Sequence, residues 1–430
     1  MYLTQRPRRP PIQIKTLLNK LQPIKRFVYV AVGLEEVGGR EAIVADIRPR
    51  KNSRARCSGC GHDRPGYDRA KDPRLFRFVP LWNLDVHLRY HMRRVDCPGC
   101  GVTVERVPWA TGKHACADAM RIFLARWARR LSWKETATCF RVPWDTVRRS
   151  VEWVVRYGLQ NRDFTGVTAL GIDEVAYGAG HKYMTLVYQI DSGSRRLLGV
   201  VEGRTIKAML RFFRSFGKAH CARVKVVCTD MWHPYIKVVA KKLPNALNVL
   251  DRFHIAKKLG EAVDQVRRDE AGKLREEGYE PILKNARYCF LKRAANLTAR
   301  QGAKLKDLLH YNLASIRAYL LKESFDAFWS YDHPRWARWF LKNWCARAMR
   351  SRLEPIKKFV GTLRRHEDLL MNYFLANKEF NSGIVEGMNL KINLSIRKAF
   401  GYKAFEVMKT ALFHQHGDLP EPESTHRFCR

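Results

Sequence analysis

Between residues 165 and 255 five short apolar runs, Thr168–Ile172, Tyr183–Ile190, Leu197–Val201, Val224–Thr229 and Leu247–Leu250, alternate with polar breaks. Runs this short, rich in Val, Ile and Leu and bounded by turn residues, predict the strands of a buried sheet rather than long helices. Helical periodicity in Ile206–Phe216, after the third run, and in Pro234–Lys242, after the fourth, adds helices to cover that sheet. The expected class is therefore α/β. Asp173 closes the first run and Asp230 the fourth. If those two strands are neighbours, both carboxylates leave the sheet at one edge.

These acids stand out because the chain is so basic. It carries 80 Lys and Arg against 41 Asp and Glu, a formal net charge of +39 over 430 residues. An enzyme of small metabolites has no use for such self-repulsion; a polyanion relieves it, and nucleic acid is the usual one. With 46% hydrophobic residues the chain is globular rather than disordered. An anionic membrane is the main competing partner. However, no apolar run reaches the roughly 18 residues that a span requires, and the Arg/Pro-rich Met1–Pro11 lacks the apolar core of a secretory signal. The expectation is a cytoplasmic, nucleoid-associated protein without a membrane partner.

Eleven cysteines, an odd number, fit a reducing compartment better than a disulfide framework. Four of them form two near-identical knuckles, Cys57-Ser-Gly-Cys60-Gly and Cys97-Pro-Gly-Cys100-Gly. Each pair is spaced so that both thiolates reach one ion, and four thiolates satisfy tetrahedral Zn²⁺ with no position left for water. One structural Zn²⁺ on Cys57, Cys60, Cys97 and Cys100 is expected. His62, His87 and His91 are the alternative ligands. The distance in sequence from Cys60 to Cys97 exceeds that of a short ribbon, so a hairpin excursion is expected between them, where Val86–Val95 alternates. Nearby cations (Arg48, Arg50, Lys51, Arg54, Arg56, Arg69, Lys71) suit phosphate contacts or a solvated loop.

The segment Leu131–Ser150 has the cadence of a helix-turn-helix. Ser132 and Glu135 form a capping-box pair, Ala137 is small where two helices would cross, and Pro143 suits the first turn of the second helix. Val147 and Val151 would face inward, leaving Thr146, Arg148 and Arg149 free for DNA. An ordinary amphipathic hairpin shares this pattern.

A third acid, Glu386, lies in Ser382-Gly-Ile-Val-Glu-Gly-Met-Asn-Leu-Lys-Ile-Asn393, whose helical face continues through Asn389, Asn393 and Arg397. Three convergent carboxylates repel unless they hold hard cations such as Mg²⁺ or Mn²⁺. Two ions per site activate the attacking oxygen and stabilise the leaving oxygen of a phosphodiester. Glu174 and Asp251 are the nearest competing acids, and a helix-capping Asp or a solvated Glu is the plain structural alternative for each.

At this point the chain resembles the ISL-three group of DDE insertion-sequence transposases. The resemblance rests on Gly171-Ile-Asp-Glu174, Thr229-Asp-Met-Trp-His-Pro-Tyr235, Leu243-Pro-Asn-Ala246, Asp251-Arg-Phe-His-Ile255, Val385-Glu-Gly-Met-Asn389 and Gly401-Tyr402. It implies an RNase H-like catalytic core with Asp173, Asp230 and Glu386 as its acids, interrupted by an all-helical insertion between the second and third. It places Trp232, His233 and Tyr235 just past the second acid, near DNA, with core packing the alternative for Trp232 and Tyr235. Many DDE enzymes carry a basic residue two helical turns after the Glu. Here Asn393 stands there, so Lys391 or Arg397 is expected to meet the phosphate instead.

The expected organisation is a multidomain α/β chain: a basic segment (1–45), a zinc-binding β module (46–112), a helix-turn-helix domain (113–163), the core in two parts (164–255 and 381–415) around an all-helical insertion (256–380), and a loose polar tail (416–430). Trp329, Trp336, Trp339 and Trp344 of the insertion are interleaved with cations and are candidates either for base stacking or for core. The implied activity is binding of terminal inverted repeats in double-stranded DNA, metal-dependent hydrolysis to a 3′-OH and strand transfer into target DNA, by a homodimer. A non-catalytic DNA-binding relic and a nuclease without strand transfer are the competing readings.

Overall fold

The structure is a computed structural model that describes residues 13–178, 180–379, 382–424 and 426. The chain divides into two compact units, one of residues 1–162 with 413–430 and one of residues 163–412.

The first unit is built on a four-stranded sheet in the order Phe27–Glu36, Glu41–Pro49, Leu84–Tyr90, Arg74–Leu81. Its outer pairs are antiparallel and its central pair is parallel. Alternating residues send Phe27, Tyr29, Phe76, Leu88 and Tyr90 into one core around Trp109, whose ring meets the edges of Phe27, Phe76 and Tyr90. The expected boundary at residue 45 thus falls inside a strand, because Glu41–Pro49 pairs with Leu84–Tyr90. Short ladders at Ala55–Arg56 with Asp63–Arg64, and at Gly66–Arg69, Arg93–Cys97 and Gly101–Val104, carry the cysteine knuckles.

Three helices follow: Asp118–Ala128, Trp133–Cys139 and Trp144–Asn161. The middle one opens on the Ser132/Glu135 capping box, and Val147 and Val151 of the third are fully buried. The tail departs from expectation. Its described residues, 416–424 and 426, are packed rather than loose. Leu419 lies against Gly158, Glu421 pairs with Arg126 and Arg129, and the His426 ring sits on Phe78. Its few apolar residues and one well-placed acid are enough to dock it, a tertiary effect that local polarity conceals.

The second unit holds a five-stranded sheet in the order Ser194–Glu202, Lys182–Asp191, Ala169–Gly178, Val226–Thr229, Leu247–Leu250. The first three form an antiparallel meander, and the last two run parallel to Ala169–Gly178. Helices Ile206–Phe216 and His233–Lys242 contribute Met209, Phe212, Phe213, Phe216, Val238 and Val239 to a core with Leu170, Ile172, Val187, Leu198 and Val227. Each such buried side chain contributes about 1.5–3 kcal/mol of transfer free energy, an upper estimate.

From Arg252 to Leu375 this unit is helical, beginning with the long helix Arg252–Glu276. The four insertion tryptophans separate. Trp329 and Trp344 are buried, with the Trp344 Nε1 donating to the Leu321 carbonyl, whereas Trp336 and Trp339 are each 58% exposed. The chain then returns through helices Ser382–Lys398 and Phe405–His416. Among the described residues no helix is long and apolar enough to cross a membrane.

Candidate catalytic acids and metal centre

Strand register decides where the two aspartates go. Ala169–Gly178 and Val226–Thr229 are adjacent and parallel, with Gly171 opposite Cys228. Two residues further on, Asp173 and Asp230 are therefore level and on the same face. Asp230 directly follows its strand, whereas Asp173 does not end the first strand as expected, because Ala169–Gly178 keeps pairing with Lys182–Asp191 as far as Gly178. The next strand continues the pattern: Thr229 is opposite Leu250, so Asp251 is level with Asp230. The three aspartates thus come level from three neighbouring parallel strands, with Asp230 and Asp251 just past the carboxyl ends of theirs, where open α/β sheets bind.

The three differ in what they touch. Asp173 is half-buried. It accepts from the Glu174 backbone N–H at 2.7 Å and from the Asn389 side-chain amide. The Asn389 Oδ1 in turn accepts from the Tyr188 hydroxyl at 2.7 Å. Desolvation raises the pKa of Asp173, with Asp251 and Asp230 adding to the rise and His254 opposing it. Asp230 accepts from the Trp232 N–H at 2.9 Å. Asp251 is 8% exposed; it caps the helix Arg252–Glu276 through the Phe253 N–H at 2.6 Å and pairs with His254 Nδ1 at 3.1 Å. That pairing is the main reason the His254 pKa is raised. Burial pushes Glu174 up to about 7, and its buried Oε1 has no hydrogen-bond partner. Glu174 and Asp251, competing acids in the sequence, are thus neighbours of the pair.

Glu386 arrives on a different element. The helix Ser382–Lys398 packs on strands Ala169–Gly178 and Lys182–Asp191. The contact is possible because position 171 is glycine: a Cβ there would lie 2.6 Å from Val385 Cγ2 and 3.1 Å from Ile190 Cγ2. Glu386 follows Val385, lies one turn before Asn389 and is exposed. Among the described residues the only group of three or more His, Cys, Asp or Glu donors gathered within 4.8 Å is the cysteine cluster, so Glu386 does not join Asp173 and Asp230 in such a group. The donor set nonetheless suits hard divalent cations. Mutually repelling carboxylates, partly desolvated, are stable together when a cation neutralises them.

The four thiols do converge. Cys60 Sγ and Cys97 Sγ are 3.6 Å apart, and Cys57 and Cys97 are buried. Thr103 Oγ1, 3.4 Å from Cys57 Sγ, and backbone N–H groups pull Cys57 down to about 6, while the neighbouring Cys57 and Cys97 sulfurs push Cys100 up to about 12. Thiols that oppose each other's ionisation this way are compatible with a shared Zn²⁺. Gly59 is required by the fit, since a Cβ there would lie 2.8 Å from Cys100 Sγ.

The expected DNA-facing residues fare unevenly. Tyr235 is a correction: it is 1% exposed, its hydroxyl lies 2.8 Å from Thr185 Oγ1, and it belongs to the core because the helix face it occupies packs on the sheet. Trp232 is half-buried, edge-on to Tyr235, and His233 is exposed. Asn389 serves Asp173 and Tyr188 rather than standing free. Arg148 is also not free, since Asp145 and Glu152 take its donors; Arg149 pairs with Asp145 but stays exposed, and Thr146 is half-buried. Lys391 and Arg397 are exposed on the helix of Glu386. The sequence carried no sign of the Asn389 amide bridge beyond its place one turn after Glu386.

Comparison with known proteins matches residues 170–412 to the family model of DDE type, ISL3 group, described as "Transposase". The chain is 29% identical over 335 residues to the transposase for insertion sequence element IS1001 of Bordetella parapertussis, which covers 77% of this chain and 81% of that one. It is 30% identical over 413 residues to the transposase for insertion sequence element IS1557 of Mycobacterium tuberculosis strain CDC 1551 / Oshkosh, covering 88% and 90%. The protein of the same description from strain H37Rv matches equally.

Proposed function

The chain belongs to the DDE transposases of the ISL3 group, and we propose that it binds the terminal inverted repeats of an insertion sequence, cuts a phosphodiester at each end and joins the resulting 3′-OH to target DNA. The observation that carries this reading is the level placement of Asp173 and Asp230 on adjacent parallel strands. An antiparallel meander followed by two parallel strands supports an RNase H-like core.

Asp173, Asp230 and Glu386 would hold two Mg²⁺ or Mn²⁺ ions, which supply activation of the attacking oxygen and neutralisation of charge on the leaving one. The chain's own groups do the positioning. Asn389, fixed by Tyr188, orients the Asp173 carboxylate. The Trp232 N–H orients Asp230. Lys391 and Arg397 offer cations for the phosphate, and Trp232 and His233 border the path of the DNA. Cys57, Cys60, Cys97 and Cys100 hold one structural Zn²⁺, and the helix pair Trp133–Cys139 and Trp144–Asn161 serves as the helix-turn-helix that recognises the ends, with Arg149 outermost. Pairing of two ends calls for a homodimer on DNA.

Cleavage of a labelled duplex carrying the element end, in Mg²⁺, tests the reading. Wild type is expected to nick at the element boundary and leave a 3′-OH, while Asp230→Asn binds the same duplex and leaves it intact. Nicking by Asp230→Asn at the wild-type rate would contradict the site. Tight end binding with no nicking by either protein, in Mg²⁺ or Mn²⁺, would make the chain a DNA-binding relic.

A further inference from the structure

Strands Arg74–Leu81 and Leu84–Tyr90 are joined by a two-residue turn, Trp82-Asn83, between the paired Leu81 and Leu84. Both central residues have positive φ, +48° at Trp82 and +64° at Asn83, as a type I′ hairpin turn requires. Asn is well suited to that backbone. Trp is among the least suited, since a bulky side chain in the left-handed region is a true outlier. The ring gains nothing by way of compensation from packing. Trp82 is 76% exposed, more than any other exposed tryptophan among the described residues. The strained backbone costs stability and the exposed ring recovers little of it through burial, and observed strain of this kind points to function.

The tip is also held in a particular place. Arg141, in the turn between helices Trp133–Cys139 and Trp144–Asn161, donates from Nη2 to Asn83 Oδ1 at 3.0 Å. Arg77 in the hairpin donates back to the Phe140 carbonyl at 2.8 Å and the Arg141 carbonyl at 3.0 Å, and is itself held by Asp85 at 2.7 Å. Arg141 has a positive φ as well, +50°. The hairpin is therefore clamped to the turn that leads into the second helix, whose N-terminal residues approach base edges in a helix-turn-helix.

We propose that the Leu81–Leu84 hairpin is a second DNA-reading element, a wing that presses the Trp82 ring against the duplex in the groove next to the one entered by the helix Trp144–Asn161. The inference rests on the reading that this unit binds element ends. Duplex DNA is the occupant that the charge favours: the chain carries +39, and the Arg141 guanidinium stands against the tip at Asn83. An apolar ring laid into a groove or against a base step is a recurrent way of gaining contact without hydrogen-bond readout.

The test uses the full-length, zinc-loaded protein and two fluorescent duplexes of equal length, one bearing the element end and one scrambled. Trp82→Asn removes the ring and places a turn-compatible residue at a left-handed position. It is expected to weaken binding to the element end about tenfold, with zinc content unchanged and a thermal midpoint equal to or above that of wild type. Trp82→Ala is expected to weaken binding equally. Unchanged affinity in Trp82→Asn, with wild type binding the ends, would overturn the wing and leave the end-binding reading intact. Failure of wild type to prefer the element end would overturn that reading itself. A midpoint several degrees lower in Trp82→Asn would make the ring structural. Loss of self-association without DNA, at unchanged DNA affinity, would make the tip a contact between two copies of the chain.

Discussion

At the scale of single residues, the site is organised by groups that hold other groups. Asn389 is the clearest. Its amide donates to Asp173 while its oxygen accepts from Tyr188, so strand, neighbouring strand and returning helix meet at one side chain. Groups of this kind tune a ligand without touching the ion, and their loss typically costs about 10- to 100-fold in activity or metal affinity. Asn389→Ala is expected to slow cleavage of the element end by that factor and to leave binding of the uncut duplex unchanged. Equal loss of binding would mean that Asn389 meets DNA directly. Nothing in the sequence distinguishes these two uses of an Asn one turn after an acid. Tyr235 illustrates the same difficulty from the other side, since an aromatic just past an acidic strand end reads alike whether it faces DNA or, as here, the core.

Whole elements were more legible than side-chain roles, for a physical reason. Strand and helix periodicity reports which face is buried, and burial dominates the fold. The five strands, the helix Ile206–Phe216 and the Ser132/Glu135 cap all follow from local pattern. What pattern does not contain is pairing between distant segments. The parallel pairing of Glu41–Pro49 with Leu84–Tyr90 dissolves an apparent boundary at residue 45, and the tail docks through Leu419 and Glu421 despite its polar composition. Likewise one helix, Pro334–Met349, places Trp344 in the core and Trp336 and Trp339 outside, a division set by its neighbours. The knuckles were legible because thiolate spacing is a local constraint. Cys57→Ser is expected to abolish stoichiometric zinc binding and end binding together, because metal binding and folding of such a module are one equilibrium. Gly59→Ala is expected to weaken zinc retention against a chelator, since its Cβ would fall 2.8 Å from Cys100 Sγ. Full zinc content in Cys57→Ser, read by a colorimetric chelator after denaturation, would remove the zinc assignment.

At the scale of the whole molecule, the proposed site draws on acids far apart in sequence. Asp173 and Asp230 come level from adjacent parallel strands, whereas Glu386 is delivered after the helical stretch that begins at Arg252, on a helix seated against Gly171 through Val385. Asp251 is nearer in the sheet, but it is already committed to the Phe253 N–H and to His254. Glu386 is exposed and available. The most direct test of the account is therefore end cleavage in Mg²⁺ by Glu386→Gln beside Asp251→Asn, both checked for intact end binding. The account predicts that Glu386→Gln binds but leaves the duplex uncut, while Asp251→Asn retains measurable cleavage at close to wild-type stability, because Asn caps a helix about as well as Asp. Wild-type cleavage by Glu386→Gln, with none by Asp251→Asn, would contradict it and make Asp251 the third acid.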